Sequence, residues 1–570
     1  MSVPVMKSGP GGLRARAEKA TLLLVAIAGM AVLGHHTRLG IGVSDDGVLF
    51  VAGAQNLQDG LGFSWVDGGT EVRGIAGFPP GYSLLVALAG AAGLNPYVAA
   101  RWMGVFGFGA LIFTVGALVR KTTRSDIAAL MAAFLVLTAK NVLSIYAWVM
   151  ADGLFLLALT LSVAQLASYL SDRKVHQLIL ASVFGGISVL LRYVGLCIPG
   201  GIALALLWVR PAGGRKAVVD ALLSTAICLL PFLVLSAVNI GAAGSAVNRS
   251  IELLVPDRST AAGFASEAFS WIFPFGSAEG VRLRWKAAAL LAVCVAALGW
   301  IQFESRRLPL AGQASTRVRP LALPQALLAM GCSYIVVLLA AISHQRIGEG
   351  TIERYLTPVY VMSVILAVVV VQHELQRHRA RRLVMGGATL VACAYLALRL
   401  AESLNYIGDA NSRWGHEIYL HAHPETPALL ATMDERRDVV TNEIYFYYYL
   451  SGEFSYQVPL LHDDDPEHPR EDLPEQYDRY EGWINGGAYL VLFDTIDAQQ
   501  NEYLSRELLT QGMVPVLTFP GGSVYLRASE VEEGRRGPEG QGRTAGGAVA
   551  ESGHRQTHRR GELAPTSTWE

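Results

Sequence analysis

Apolar runs of the length needed to cross a bilayer recur along about two thirds of this chain, and no other feature restricts its fold so tightly. A hydrocarbon core of roughly 30 Å takes about 20 helical residues to span. The first run is Ala20 to Gly34, preceded by Lys7, Arg14, Arg16 and Lys19. No small-residue cleavage site follows it, so it reads as a retained helix with its basic end in the cytoplasm. Further runs extend from about Tyr97 to Val119, Asp126 to Ser144, Gly153 to Leu170, Gln177 to Leu191, Gly195 to Val209 and Val218 to Ile240. The last four are Trp285 to Phe303, Ala322 to Ile342, Leu356 to Val371 and Leu383 to Leu398, for about eleven spans in all. The apolar piece Tyr82 to Leu94 is short and glycine-rich, and is expected to be re-entrant or interfacial.

Charge supports that choice. With Tyr82 to Leu94 not crossing, the basic connections Arg120 to Arg124, Asp172 to Lys174, Arg210 to Lys216, Arg306 to Arg319 and Arg377 to Arg382 all fall on the cytoplasmic side, as the positive-inside rule requires. The opposite face then receives the Asp45-Asp46 loop, Asp152, Arg192, the segment His344 to Arg354 and everything after Glu402. Hydrophobic residues make up 52% of the chain and charged ones 16%, and the mean hydropathy is +0.36, which excludes an ordinary soluble domain. Lys+Arg 46 against Asp+Glu 47 gives no basic face for nucleic acid. The five cysteines all lie in apolar segments and read as packing residues, neither a disulfide framework nor a metal site.

The expected organisation is a cytoplasmic N-terminus at 1–19, a transmembrane domain at 20–402 with an external loop at 37–96, an external α/β domain at 403–529 and a disordered tail at 530–570. Within the α/β domain, helices are expected over Pro424 to Arg437 and Gln499 to Gln511 and strands over Asp438 to Thr441 and Tyr489 to Phe493. A hairpin is expected from Met513 to Phe519 and Ser523 to Leu526 around Pro520-Gly521-Gly522. Tyr445 to Tyr449 reads as packing within this domain.

Chemistry is expected where the polar residues gather. Ser44-Asp45-Asp46-Gly47 follows the first span, and Gly77-Phe78-Pro79-Pro80-Gly81-Tyr82 lies beyond it. Three later landmarks fall on the same face: Trp148 to Phe155 with Asp152, Leu190 to Leu196 with Arg192-Tyr193, and Glu353-Arg354-Tyr355-Leu356-Thr357-Pro358. In this order the motifs resemble those of the GT-C glycosyltransferases, in pattern nearest to protein O-mannosyltransferases, lipid A aminoarabinose transferases and sugar transferases acting on lipopolysaccharide cores. Two positions depart from that pattern: Asp45-Asp46 stands where Asp-Glu is common, and Asp152 where a glutamate often precedes the Leu-Phe pair.

The resemblance implies a helical polytopic membrane protein of GT-C type with a small C-terminal α/β domain. It implies inverting transfer of a sugar from a polyprenyl-phosphate donor to a lipid, glycan or protein hydroxyl at the outer face, in what composition makes a bacterial inner membrane. The reaction needs a carboxylate within about 3 Å of the attacking hydroxyl and cationic groups for the departing phosphate. Asp45 matches the family's leading aspartate as general base, with Asp46 assisting it or holding a divalent cation. Asp152, Arg192, Tyr193, Arg354 and Tyr355 form the expected substrate-binding set, since arginine offers paired donors to phosphate.

Plainer readings stand beside these. The acidic pair also suits a solvated turn or a cap, Asp152 could cap the helix it opens, and Arg354 could snorkel from a helix end. Arg192 lies in an apolar run, where an ionised group is costly and usually paired. His344, Arg346, Glu349 and Glu353 read as a solvated loop rather than a metal or phosphate cluster, and His35-His36 and Asp463 to Asp465 give still less ground for such a site. A secondary transporter or a non-catalytic scaffold of the same fold would share the helices, but a carrier wants related halves and a midplane site.

Overall fold

The computed structural model describes residues 10–67, 71–211, 213–243, 258–271, scattered positions between 285 and 304, then 321–342, 349–377, 381–408, 416–462, 470–495 and 502–536. The chain divides into two compact units, residues 1–42 with 74–413, and residues 43–73 with 414–570.

The first unit is helical. By length and apolar composition, six described helices can cross a membrane: Lys19–His36, Pro96–Thr123, Asp152–Asp172, Gly214–Gly241, Ala322–Ala341 and Thr351–Gln376. Asp126–Leu137 and Lys140–Tyr146 meet at a bend of 62° and count as a seventh if they form one broken span. The expected spans at 177–191 and 195–209 are shorter helices, Val175–Leu191 and Cys197–Val209. Their separation has a local cause, because Arg192 between them is extended at φ −151°, ψ 138° and Tyr193–Leu196 forms one 3-10 turn. Gly81–Ala91 has 11 residues, about 16 Å at helical rise, too little to cross. The expected span from Trp285 to Phe303 is described only at scattered positions. On helix Gly214–Ala243, Leu222, Leu230, Leu233, Val234 and Val238 are all exposed, the apolar outer surface that lipid rather than water would cover.

The second unit is built on a five-stranded sheet. Its strands follow a two-stranded pair, β1 (Ser64–Asp67) and β2 (Glu71–Gly74). They are β3 (Val439–Thr441), β4 (Tyr456–Gln457), β5 (Tyr489–Phe493), β6 (Met513–Phe519) and β7 (Gly522–Arg527), in the order β4-β3-β5-β7-β6. β4, β3 and β5 run parallel, while β7 is antiparallel to both β5 and β6. Side chains alternate across a strand, so Val440, Leu490 and Leu492 face one core with Tyr480 and Ile484 of helix Leu473–Asn485. Val439, Val491 and Phe493 face the other, with Phe446, Tyr447 and Leu450 of helix Ile444–Ser451. Helix Asp45–Gln58 belongs to this same unit. Its Gln55 accepts a hydrogen bond from the Tyr448 hydroxyl, and Trp65 of β1 packs against Tyr445, Tyr448 and Phe454 with ring centroids 4.9–5.4 Å apart.

Several expectations are corrected. The helix expected over 424–437 is confined to Thr426–Leu430, because Asp434 caps its own turn, its Oδ1 accepting from Arg436 N at 3.0 Å. The helix expected over 499–511 is confined to Arg506–Leu509, capped by Ser505, with residues 496–501 outside the described ones. The first residues of the tail form helix Ala528–Arg536, and 537–570 lie outside the described residues, as do His344, Arg346 and Asp463 to Asp465.

Close packing in the first unit is testable at Gly81. A Cβ there would stand 2.4 Å from the Leu190 carbonyl oxygen, a backbone atom that cannot turn aside. Gly81→Ala is expected to lower stability by about 1–3 kcal/mol, the usual range for overpacking, read as a lower midpoint of thermal unfolding in detergent.

Candidate active site

In the first unit, Asp152 opens helix Asp152–Asp172, whose N-cap is Ala151 with no side-chain cap. The Asp152 carboxylate turns instead to two arginines. Arg192 Nη1 donates to its Oδ2 at 2.6 Å, and Arg354 Nε stands 3.7 Å from its Oδ1. The carboxylate side chain is 9% exposed and the arginine side chains are 16% and 17% exposed, so the three charges are largely removed from water. Both guanidiniums lie over the Tyr355 ring, Arg192 at 5.8 Å and Arg354 at 5.3 Å from its centroid. The Tyr334 hydroxyl donates to the Tyr355 carbonyl at 2.7 Å. Together with Ile145, Phe155, Val194 and Pro358 these residues line a small pocket.

The backbone explains how Arg192 arrives there. Helix Val175–Leu191 stops at it, and the following turn packs so closely that a Cβ on Gly195 would stand 2.7 Å from the Ser188 carbonyl. Tyr193 points elsewhere: its hydroxyl donates to the Ala76 carbonyl at 2.8 Å, anchoring the segment that leads to Gly77 and Pro80. Glu353 pairs with Lys140 at 3.4 Å. Of the expected set, then, Asp152, Arg192, Arg354 and Tyr355 converge on one pocket, and Tyr193 braces the chain nearby. Two guanidiniums at one carboxylate bring several N–H donors together, of the kind that suit an anion.

In the second unit, Ser44 caps helix Asp45–Gln58, its Oγ accepting from Gly47 N at 3.4 Å. Asp45 stands in the first turn with its side chain 59% exposed, 3.0 Å from His416 Nε2. Asp46 is next along the helix and half-buried. Glu443, at the carboxyl end of β3, accepts from the Thr495 hydroxyl at 2.9 Å. Burial raises the Glu443 carboxyl above its ordinary value, and the Asp45 carboxylate adds to the rise. Neither His416 nor Glu443 was singled out in the sequence, and the signal that would have found them, their nearness to Asp45, is formed only by folding.

Among the described residues one group could hold a metal ion: Glu304, His373 and Glu374, whose ligand atoms lie within 4.8 Å of one another. His373 and Glu374 sit near the opposite end of helix Glu349–Arg377 from Arg354. His36 is buried with its ring 5.1 Å from that of Tyr406, and His35 contacts Arg38, which gives both histidines local packing roles.

Residues 69–241 match the family model of the dolichyl-phosphate-mannose-protein mannosyltransferases. Over 89% of this chain and 98% of the other, the fold is similar to the crystal structure of ArnT from Cupriavidus metallidurans bound to undecaprenyl phosphate, at 14% identity and a TM-score of 0.55. The chain carries the GT-C glycosyltransferase fold. The apo state of the same ArnT gives a TM-score of 0.56 at 14% identity over the same shares. The archaeal oligosaccharyltransferase AglB from Archaeoglobus fulgidus is a looser likeness, with a TM-score of 0.49 at 13% identity over 89% of this chain and 74% of that one. No curated protein matches the chain in sequence. The family match covers residues 69–241, and the likeness to ArnT extends over the fold of most of the chain. The matched segment includes Asp152, Arg192 and Tyr193 and excludes Asp45, Arg354 and the C-terminal unit.

Two predictions follow from these environments. Asp152→Asn removes the carboxylate that both guanidiniums face and is expected to cost on the order of 1–3 kcal/mol, less than a fully buried pair because some water reaches it. Arg192→Met in the same chain should recover part of that loss in a double-mutant cycle on thermal stability. Glu443, with its folded value raised, favours folding at low pH, and that contribution is lost as pH rises through the folded value, above 4.5. Glu443→Gln is therefore expected to raise the unfolding midpoint at neutral pH and to flatten its decline from mildly acid to neutral pH.

Proposed function

We propose that this chain is a membrane glycosyltransferase that moves a sugar from a polyprenyl-phosphate donor to an acceptor hydroxyl at the outer face of a bacterial inner membrane, with its N-terminus cytoplasmic. Asp152 with its two guanidiniums carries the reading. Arg192 and Arg354 meet at Asp152 in a largely covered pocket, and paired guanidinium donors suit the oxygens of a phosphate. A lipid phosphate is an anion that reaches membrane depth without crossing water. ArnT, whose fold this chain shares, has been crystallised with undecaprenyl phosphate.

The steps balance without an oxidant or reductant. The acceptor hydroxyl gives its proton to Asp45 as its oxygen bonds to the anomeric carbon. The bond from that carbon to the phosphate oxygen breaks on the far side, which inverts the configuration. The electron pair leaves on the lipid phosphate, whose growing charge Arg192 and Arg354 stabilise. Asp152 fixes the two guanidiniums beforehand, so that little reorganisation accompanies the step, and Tyr355 gives them a flat support. Asp46 assists Asp45 or holds a divalent cation beside it. The acceptor is a lipid, a glycan or a protein.

The test is transfer of labelled sugar from a panel of undecaprenyl-phosphate hexoses and pentoses in membranes holding the full chain. Asp45→Asn is expected to reduce transfer by about 10²–10⁴-fold, the range for losing a general base. Arg354→Met should reduce it by about 10²–10³-fold, as for losing one donor to a developing anion. Unchanged transfer by well-inserted Asp45→Asn protein would remove Asp45 from the mechanism.

A further inference from the structure

His416 lies 371 residues from Asp45 in sequence and 3.0 Å from it in space, Nε2 to Oδ1. Both belong to the second unit. Among the described residues, His416 is the only hydrogen-bond partner of the Asp45 side chain. The carboxylate is exposed, while the imidazole is 85% covered, its side chain being 15% exposed. The histidine is itself fixed at three points. Its backbone N–H donates to the Val43 carbonyl at 3.0 Å. Its ring stacks on Phe446, centroids 4.8 Å apart at 21°, and lies 5.6 Å from that of Tyr449. An exposed acid is thereby tied to a largely covered ring.

Local structure does not require this contact. Ser44 already caps the helix, and an exposed aspartate in a first turn is stable in water beside the helix dipole. An ordered imidazole on one carboxylate oxygen therefore does something other than hold the fold. A general base must be oriented as well as ionised, because the reacting atoms must meet within about 3–3.5 Å. Second partners of this kind set the orientation and basicity of a reacting group.

We infer that His416 is a positioning residue for Asp45, supplied by the C-terminal α/β unit, which holds Oδ1 so that Oδ2 is presented to the acceptor hydroxyl. The inference rests on the reading of Asp45 as the base. It gives the C-terminal unit a direct part in the acceptor half of the reaction. Phe446 acts one step further out, as the surface that keeps the imidazole plane in place.

The test compares Asp45→Asn, His416→Phe and His416→Gln in the full chain, using whichever undecaprenyl-phosphate sugar the wild type turns over. His416→Phe preserves stacking on Phe446 and removes the donor, whereas His416→Gln keeps an N–H near the position of Nε2. The expected result is a kcat for His416→Phe lower by about 10–100-fold, as for a misoriented base, with donor KM within about two-fold and an unchanged unfolding midpoint. His416→Gln should recover at least about five-fold of that loss. An inactive Asp45→Asn beside a fully active His416→Phe would overturn the inference while leaving the base in place. Equal loss in both His416 variants, tracking a lower unfolding midpoint, would also overturn it by assigning His416 a structural role. A fully active Asp45→Asn would instead remove the reading on which the inference rests.

Discussion

The carboxylate of Asp152 is what the helical unit is arranged around. A largely covered guanidinium is costly without a counter-charge, and this unit brings two of them, Arg192 and Arg354, to one place. Neither stays there without a counter-charge. Asp152 supplies it, and the backbone accommodates the meeting: helix Val175–Leu191 breaks at Arg192, and glycines at 81 and 195 let neighbouring main chains approach within a distance no Cβ would tolerate. The motif around Pro79-Pro80-Gly81 is thus tied to the motif around Arg192 by steric fit, and Tyr193 adds a hydrogen bond to Ala76. What reads in sequence as three separate landmarks is one mechanical assembly around an ion cluster.

The placement of Asp45 has a different cause. Helix Asp45–Gln58 buries Val48, Phe50, Val51, Ala52 and Ala54, too many successive positions for a helix that covers one apolar stripe. It needs cover on several sides. Tyr448 reaches Gln55, and the aromatic group of Trp65, Tyr445, Tyr448 and Phe454 closes over the strand that follows. The acid-bearing helix therefore takes its register from the C-terminal unit, although more than three hundred residues separate them in sequence.

Most of the helical architecture was legible because apolar length is a one-dimensional property. Ala322–Ile342 and the hairpin strands from Met513 appear almost where composition puts them. The break between Leu137 and Lys140 was not legible, since an apolar run does not say where it bends. Helix Leu473–Asn485 escaped notice because its sequence, LPEQYDRYEGWIN, is polar overall and shows only a narrow apolar stripe at Tyr477, Tyr480 and Ile484. Arg192 was legible as a costly charge and Arg354 as either a phosphate ligand or a snorkelling arginine, while Asp152 suited both the binding set and a helix cap, so that their direct pairing needed the fold. His416 carried no signal at all, because one histidine after an apolar segment has many ordinary explanations and its contact depends on a fold closed across 371 residues.

The topology of the C-terminal sheet accounts for where its own polar residues gather. β3 leads through helix Ile444–Ser451 to β4 on one side, and the chain returns through helix Leu473–Asn485 to β5 on the other. The two helices cover opposite faces, and the parallel strands β3 and β5 bring their carboxyl ends side by side. Asn442 stands at that point. Its amide donates to the Thr495 hydroxyl at 3.1 Å and its oxygen accepts from Phe493 N at 2.8 Å, fastening one strand end to the other. Glu443 follows directly and is held by the same Thr495, within electrostatic reach of Asp45 and His416. The acid, its imidazole and the second carboxyl thus lie within electrostatic reach of one another beside the end of β3, where Asn442 and Thr495 fix the position of Glu443.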